Sequence, residues 1–138
     1  MIPVWSVLLW GMLQAAPPRP QASLSDLMSL ARNAFTTRDF GLLFDERRPV
    51  RLELPNQTAA VSVRGRVAAA SLASLVRRTQ DVDLTAVDSA EVAPGYGYLE
   101  LLRRYRVMGT DEIQTQRVLI SVKREEETWR IVEFWVGG

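Results

Sequence analysis

Residues 81–136, DVDLTAVDSAEVAPGYGYLELLRRYRVMGTDEIQTQRVLISVKREEETWRIVEFWV, decide the fold, because here the apolar period changes from that of a helix to two. Val82, Leu84 and Ala86 alternate with Asp83 and Thr85, and Ala93-Pro94-Gly95 supplies a turn. Residues 97–108 read as a second strand, Gly109-Thr110-Asp111 as a turn, and 113–124 as a third strand. The acidic run Glu125 to Glu127 is a further turn, and 129–136 is the fourth strand. Four consecutive strands joined by short turns form an antiparallel meander, and such a sheet curls.

Upstream the period is helical. Ser23 with Asp26 three positions on makes a capping-box-like start, and Leu24, Leu27, Met28, Ala31 and Phe35 give an amphipathic helix over 24–35. Thr37 recaps a second helix running through Glu46, with Phe40, Leu43 and Phe44 on one face, ended by Pro49. Val50, Leu52 and Leu54 alternate with Arg51 and Glu53 in a strand closed by Pro55-Asn56, and 61–64 adds a brief strand. Residues 66–78 are rich in Ala and Leu and end on Arg77-Arg78, where cations favour a helix C-terminus. Helices preceding a meander, without βαβ alternation, predict an α+β fold. Three N-terminal helices pack on a strongly curved antiparallel sheet of four long strands plus one or two short ones.

Residues 1–22 stand apart. Val4 to Leu13 is an apolar run too short to span a bilayer, which takes roughly 20 residues. Ala15-Ala16 and a proline cluster come next, the pattern of a secretory signal cleaved after Ala16 or Ala22. The expected address is the bacterial periplasm or exterior, with membrane contact only during export. Residues 23–138 read as a single domain.

Composition narrows the chemistry. The chain has 138 residues, no cysteine, no histidine, and 17 basic against 16 acidic side chains. Disulfides, thiolate nucleophiles, Cys- or His-ligated metals and Ser-His-Asp triads are therefore excluded. The arginines are interspersed with carboxylates rather than gathered with aromatics, so no nucleic-acid partner is expected. Glu125 to Glu127 cannot converge on one ion from a tight turn, and neither a metal nor a cofactor is predicted.

The element order, the segment RDFGLLFDERRPVRLELP (Arg38 to Pro55) and the closing WRIVEFWV resemble the nuclear transport factor 2-like, or cystatin-like, superfamily, and look most like its small exported members of unassigned function. The resemblance covers essentially the whole chain after the leader. It implies a cone of bent sheet and helices, often with an internal pocket. The superfamily hosts enzymes, adaptors and accessory domains, so the fold alone chooses no function. The missing histidine removes its His–Asp dehydratases.

In the last strand Trp129, Ile131, Glu133 and Trp135 alternate with Arg130, Val132, Phe134 and Val136. With the Trp129/Ile131 face concave, as the resemblance implies, Glu133 projects into the cone. A buried carboxylate there needs a cation or hydrogen bonds, which Arg103 and Tyr105 would supply. Tyr96 and Tyr98 read as capping the sheet edge at a strand-entry turn, and as a binding loop they would lie at the mouth of the cone or on an interface. The candidate ligand-binding residues are thus Glu133, Arg103, Tyr105 and Tyr98. The preferred reading is a non-catalytic module binding a small apolar ligand or a protein. The alternative is a cofactor-free isomerase- or cyclase-like enzyme pairing Asp88 or Glu133 with Tyr105 or Tyr98. Thr115, Arg117 and Leu119 alternate with Gln116, Val118, Ile120 and Val122, so the third strand is apolar on both faces, and a homodimer is expected.

Overall fold

The structure, a computed structural model, describes residues 23–138, so the secretory signal expected over residues 1–22 lies outside it. Helix α1 spans Leu24–Thr37, capped as the sequence predicts: the Asp26 amide donates to the Ser23 hydroxyl at 3.0 Å. Its buried face is Leu27, Met28, Ala31, Ala34 and Phe35, and Arg38 closes it in the left-handed conformation. Helix α2, Gly65–Val76, buries Gly65, Ala68, Leu72 and Val76.

The expected middle helix is only a 3-10 turn, Gly41–Leu43. Two aspartates compete for the backbone it would need. Asp39 accepts the Gly41 amide at 3.0 Å, and Asp45 accepts the Arg47 amide at 3.2 Å. Such side-chain bonds two residues on favour turns over helix. The described residues therefore form two α-helices and six strands.

The strands are β1 (Pro49–Glu53), β2 (Val61–Arg64), β3 (Thr79–Ala93), β4 (Tyr96–Val107), β5 (Ile113–Glu125) and β6 (Thr128–Gly137). They form one sheet in the order β2-β1-β6-β5-β4-β3. The meander is antiparallel as expected, but β1 joins β6 in parallel, with Leu52 opposite Phe134.

Two irregularities change which side chains face the core. The 15 residues of β3 oppose the 12 of β4, and the surplus is three bulges, at Val82, Val87 and Val92. In β6, Val122 of β5 faces Ile131 whereas Ser121 faces Glu133, so Val132 is an inserted residue. The inward set is consequently Trp129 and Ile131, then Phe134 and Val136. A shift of one residue moves every later side chain to the other face. Glu133 and Trp135 thus lie on the outer face, correcting the expectation that Glu133 enters the cone.

The core fills the space between helices and concave face. Leu27, Phe35 and Phe40 meet Leu52, Leu99, Leu101, Val118, Ile120 and Phe134, and burying each such side chain contributes about 1.5–3 kcal/mol. Gly65 lets the chain turn into α2 against the 3-10 segment: a Cβ there would lie 2.1 Å from the Asp45 carbonyl oxygen.

Candidate functional site

The concave face of β3–β5 is apolar at one end and polar at the other. Along β4, Leu99 and Leu101 give way to Arg103 and Tyr105, all buried. Arg103 is 1% exposed, the largest of the fully buried side chains. Its Nε donates to Asp81 Oδ1 at 2.7 Å, Nη1 to Gln116 Oε1 at 3.0 Å, and Nη2 to the Thr79 hydroxyl. The guanidinium carbon sits 4.4 Å from the centre of the Tyr105 ring and 5.6 Å from that of Phe35. Tyr105 donates its hydroxyl to Gln114 at 2.9 Å.

Arg103 and Tyr105 are therefore together, as the sequence reading has them, but their carboxylate is Asp81 rather than Glu133. Strand β5 lies between β4 and β6, and Glu133 aligns with Ser121 and Arg51 on the opposite face. Each Arg103 nitrogen already donates to a protein acceptor. That arrangement ties β3, β4 and β5 together on the concave face and spends the guanidinium on the fold.

Tyr98 also faces outward, between Ala90 and Ser121 in register. Its hydroxyl donates to Asp88, and this bond, ahead of a small desolvation effect, raises the phenol above its ordinary value of 10. The Asp88–Tyr98 contact is one of the carboxylate–phenol pairs drawn for the enzyme alternative. It lies outside the cone, where Arg117 and Glu100 form an exposed ion pair at 2.5 Å.

Within the cone, aromatic rings replace a cavity. Phe35 meets Phe40 edge-on at 5.1 Å, and Phe134 lies 6.4 Å from Phe35 and 6.0 Å from Phe44. The accessible apolar surface is displaced to one end. There Leu27 and Leu30 of α1, Leu42 to Phe44, and Trp129 line a groove of about 300 Å³. Leu42 forms its lip and is 76% exposed. Sequence reasoning misses this groove, although one signal is present: Leu42 falls off the face shared by Phe40, Leu43 and Phe44.

The polar rim comes from the β5–β6 turn. Glu125 accepts from both Arg48 and Arg130, the latter at 3.2 Å. The Arg48 bond, then the Arg130 bond, hold its carboxyl well down, to about 2. Arg130 also donates to the Pro49 carbonyl at 3.3 Å, while its buried Nε has no partner. Glu126 and Glu127 both have positive φ, 49° and 69°, a conformation that side-chain-bearing residues adopt at a cost. An apolar trough rimmed by this arginine–glutamate–arginine cluster suits a small molecule with an apolar body.

No family model matches the chain, and no curated protein matches it either. Solved structures do. A domain of unknown function with a cystatin-like fold from Nostoc punctiforme superposes with a TM-score of 0.65 at 15% identity, covering 86% of this chain and 78% of that one. The chain has the nuclear transport factor 2-like, cystatin-like fold. A protein of the DUF4783 family from Bacteroides uniformis superposes on it at 0.61, with 11% identity over 76% of this chain and 90% of the other. A designed protein whose name includes NTF2 gives 0.62 at 15% identity, over 82% and 95%. At these identities the likeness is one of fold, and function has to be argued from the cone's own surfaces.

Proposed function

We propose that this cone is an exported, non-catalytic binding module that holds a small, largely apolar ligand in the groove between α1, the 3-10 turn and the β5–β6 turn. The observation that carries the reading is the filled interior. The four phenylalanines and Arg103 occupy the place where an enzyme of this shape would hold its substrate. The groove, in contrast, offers Leu30, Leu42 and Trp129 to an apolar body, with the Arg48–Glu125–Arg130 cluster as its charged rim. The preceding leader supports the export part of the proposal.

Trp129 lines the groove and is its own reporter. Titrating decanoate into the protein should change tryptophan emission saturably, and Leu42→Asp should abolish the change without altering the circular dichroism. If the change survives Leu42→Asp, the ligand sits elsewhere. For export, N-terminal sequencing of the protein from the host's periplasm should read Pro17 or Ser23. A mature chain that still begins at Met1 in the cytoplasm ends that part of the proposal.

A further inference from the structure

The groove lies at one end of α1; a different surface runs along its flank. Strand β3 is the last in the sheet, so one side of its backbone pairs with no strand among the described residues. Between that edge and α1 lie two open depressions. One, of about 490 Å³, is lined by Phe35, Thr36, Arg38, Asp81, Val82 and Leu84; the other, of about 470 Å³, by Met28, Ser29, Ala86, Val87 and Asp88. Arg32 lies between them and lines both.

The bulges set their spacing. Val82, Val87 and Val92 recur every five residues, but each interval opposes only four residues of β4, because one residue per interval is unpaired. The valines therefore recur evenly along the sheet, about 13 Å apart. They are 44%, 53% and 67% exposed. A strand laid along this edge would bring every fourth side chain to a depression. Main-chain bonds to a free edge, with pockets for alternate side chains, are how edge strands capture extended peptides.

Charge selects the peptide. β3 holds Asp81, Asp83, Asp88 and Glu91 and no Lys or Arg. Asp83 and Asp88 oppose Arg104 and Glu100, which alternate with the inward Leu101 and Arg103, so both face the outer side. Leu84 and Ala86 oppose Arg103 and Leu101 on the inner side. We propose that the α1–β3 edge binds an extended cationic peptide as a seventh strand, with Lys or Arg outward against Asp83 and Asp88 and small apolar side chains inward. The same features reject a second copy of this chain. Two β3 edges would set carboxylates against carboxylates, and the bulges limit regular pairing to the runs 83–86 and 88–91. Specificity thus comes partly from what the edge refuses.

The test uses the full chain and the acetylated, amidated peptide Lys-Val-Lys-Val-Lys-Val-Lys, monitored by amide chemical shifts. Saturable shifts are expected in residues 83–91, with a version carrying Glu for Lys at least about tenfold weaker. A version N-methylated at alternate amides on its pairing side should not bind, since it lacks the ladder donors. Asp83→Asn with Asp88→Asn should weaken the lysine peptide about tenfold while leaving the N-methyl sensitivity intact. Absence of shifts in β3, equal binding of the glutamate peptide, or binding of the N-methylated one would each overturn the proposal.

Discussion

Arg103 and Asp81 meet at 2.7 Å across β4 and β3, the one carboxylate contact of a guanidinium that is otherwise sealed in the core. Removing either partner alone strands a charge or leaves Gln116 and Thr79 unpaired. We expect Arg103→Ala and Asp81→Ala each to cost about 3–5 kcal/mol in urea unfolding. The double variant Arg103→Met/Asp81→Leu should lose less than the sum of the two, because neither charge is then left without its partner, although Gln116 still lacks its donor. Additive losses would mean that the two groups act independently.

The clamp on Glu125 makes a pH prediction. Its folded carboxyl titrates near 2 rather than at its ordinary 4.5, chiefly through Arg48 and then Arg130. A lowered folded value means that its contribution is complete above about 4.5 and is lost as pH falls toward 2. The melting temperature of Glu125→Gln should therefore lie below that of the parent at pH 6, and the gap should close by pH 2. A gap independent of pH would assign the effect to packing instead.

The β5–β6 turn asks two glutamates to hold positive φ. Two-residue hairpin turns of this hand favour Asn-Gly. Glu126→Asn with Glu127→Gly should stabilise the fold by about 1–2 kcal/mol in denaturant titration. If the pair is neutral, the turn carries no strain.

Gly65 is held by contact. A methyl there would overlap the Asp45 carbonyl, which a backbone atom cannot relieve by rotating. Gly65→Ala should cost about 1–3 kcal/mol and move the 3-10 segment. Because that segment carries the Leu42 lip, decanoate binding should weaken in the same variant.

The strands from residue 97 onward are readable because their alternation is local: β4, β5 and β6 lie within one residue of where the sequence predicts them at each end. The α1 cap is equally local. What the alternation cannot convey is a bulge, since an inserted residue exists only relative to a partner strand. Val132 is such a residue, and it sends Glu133 outward and Phe134 inward against a perfect period of two. The candidate pair Arg103 and Tyr105 is legible because no bulge separates them on β4. Asp81 is not, because Val82 breaks the period beside it. The 3-10 turn reads as helix because its apolar spacing is helical, while Asp39 and Asp45 act through their side chains on single amides.

The parallel pairing of β1 with β6 also has a consequence in time. Arg51 must wait for Glu133, and the strand that completes the middle of the sheet is made after all the others. Contacts this distant along a chain close slowly. Until β6 is made, β1 and β2 have no strand to join them to β3, β4 and β5. The two halves of the sheet therefore close on one another only through β6, the latest of the six strands in sequence.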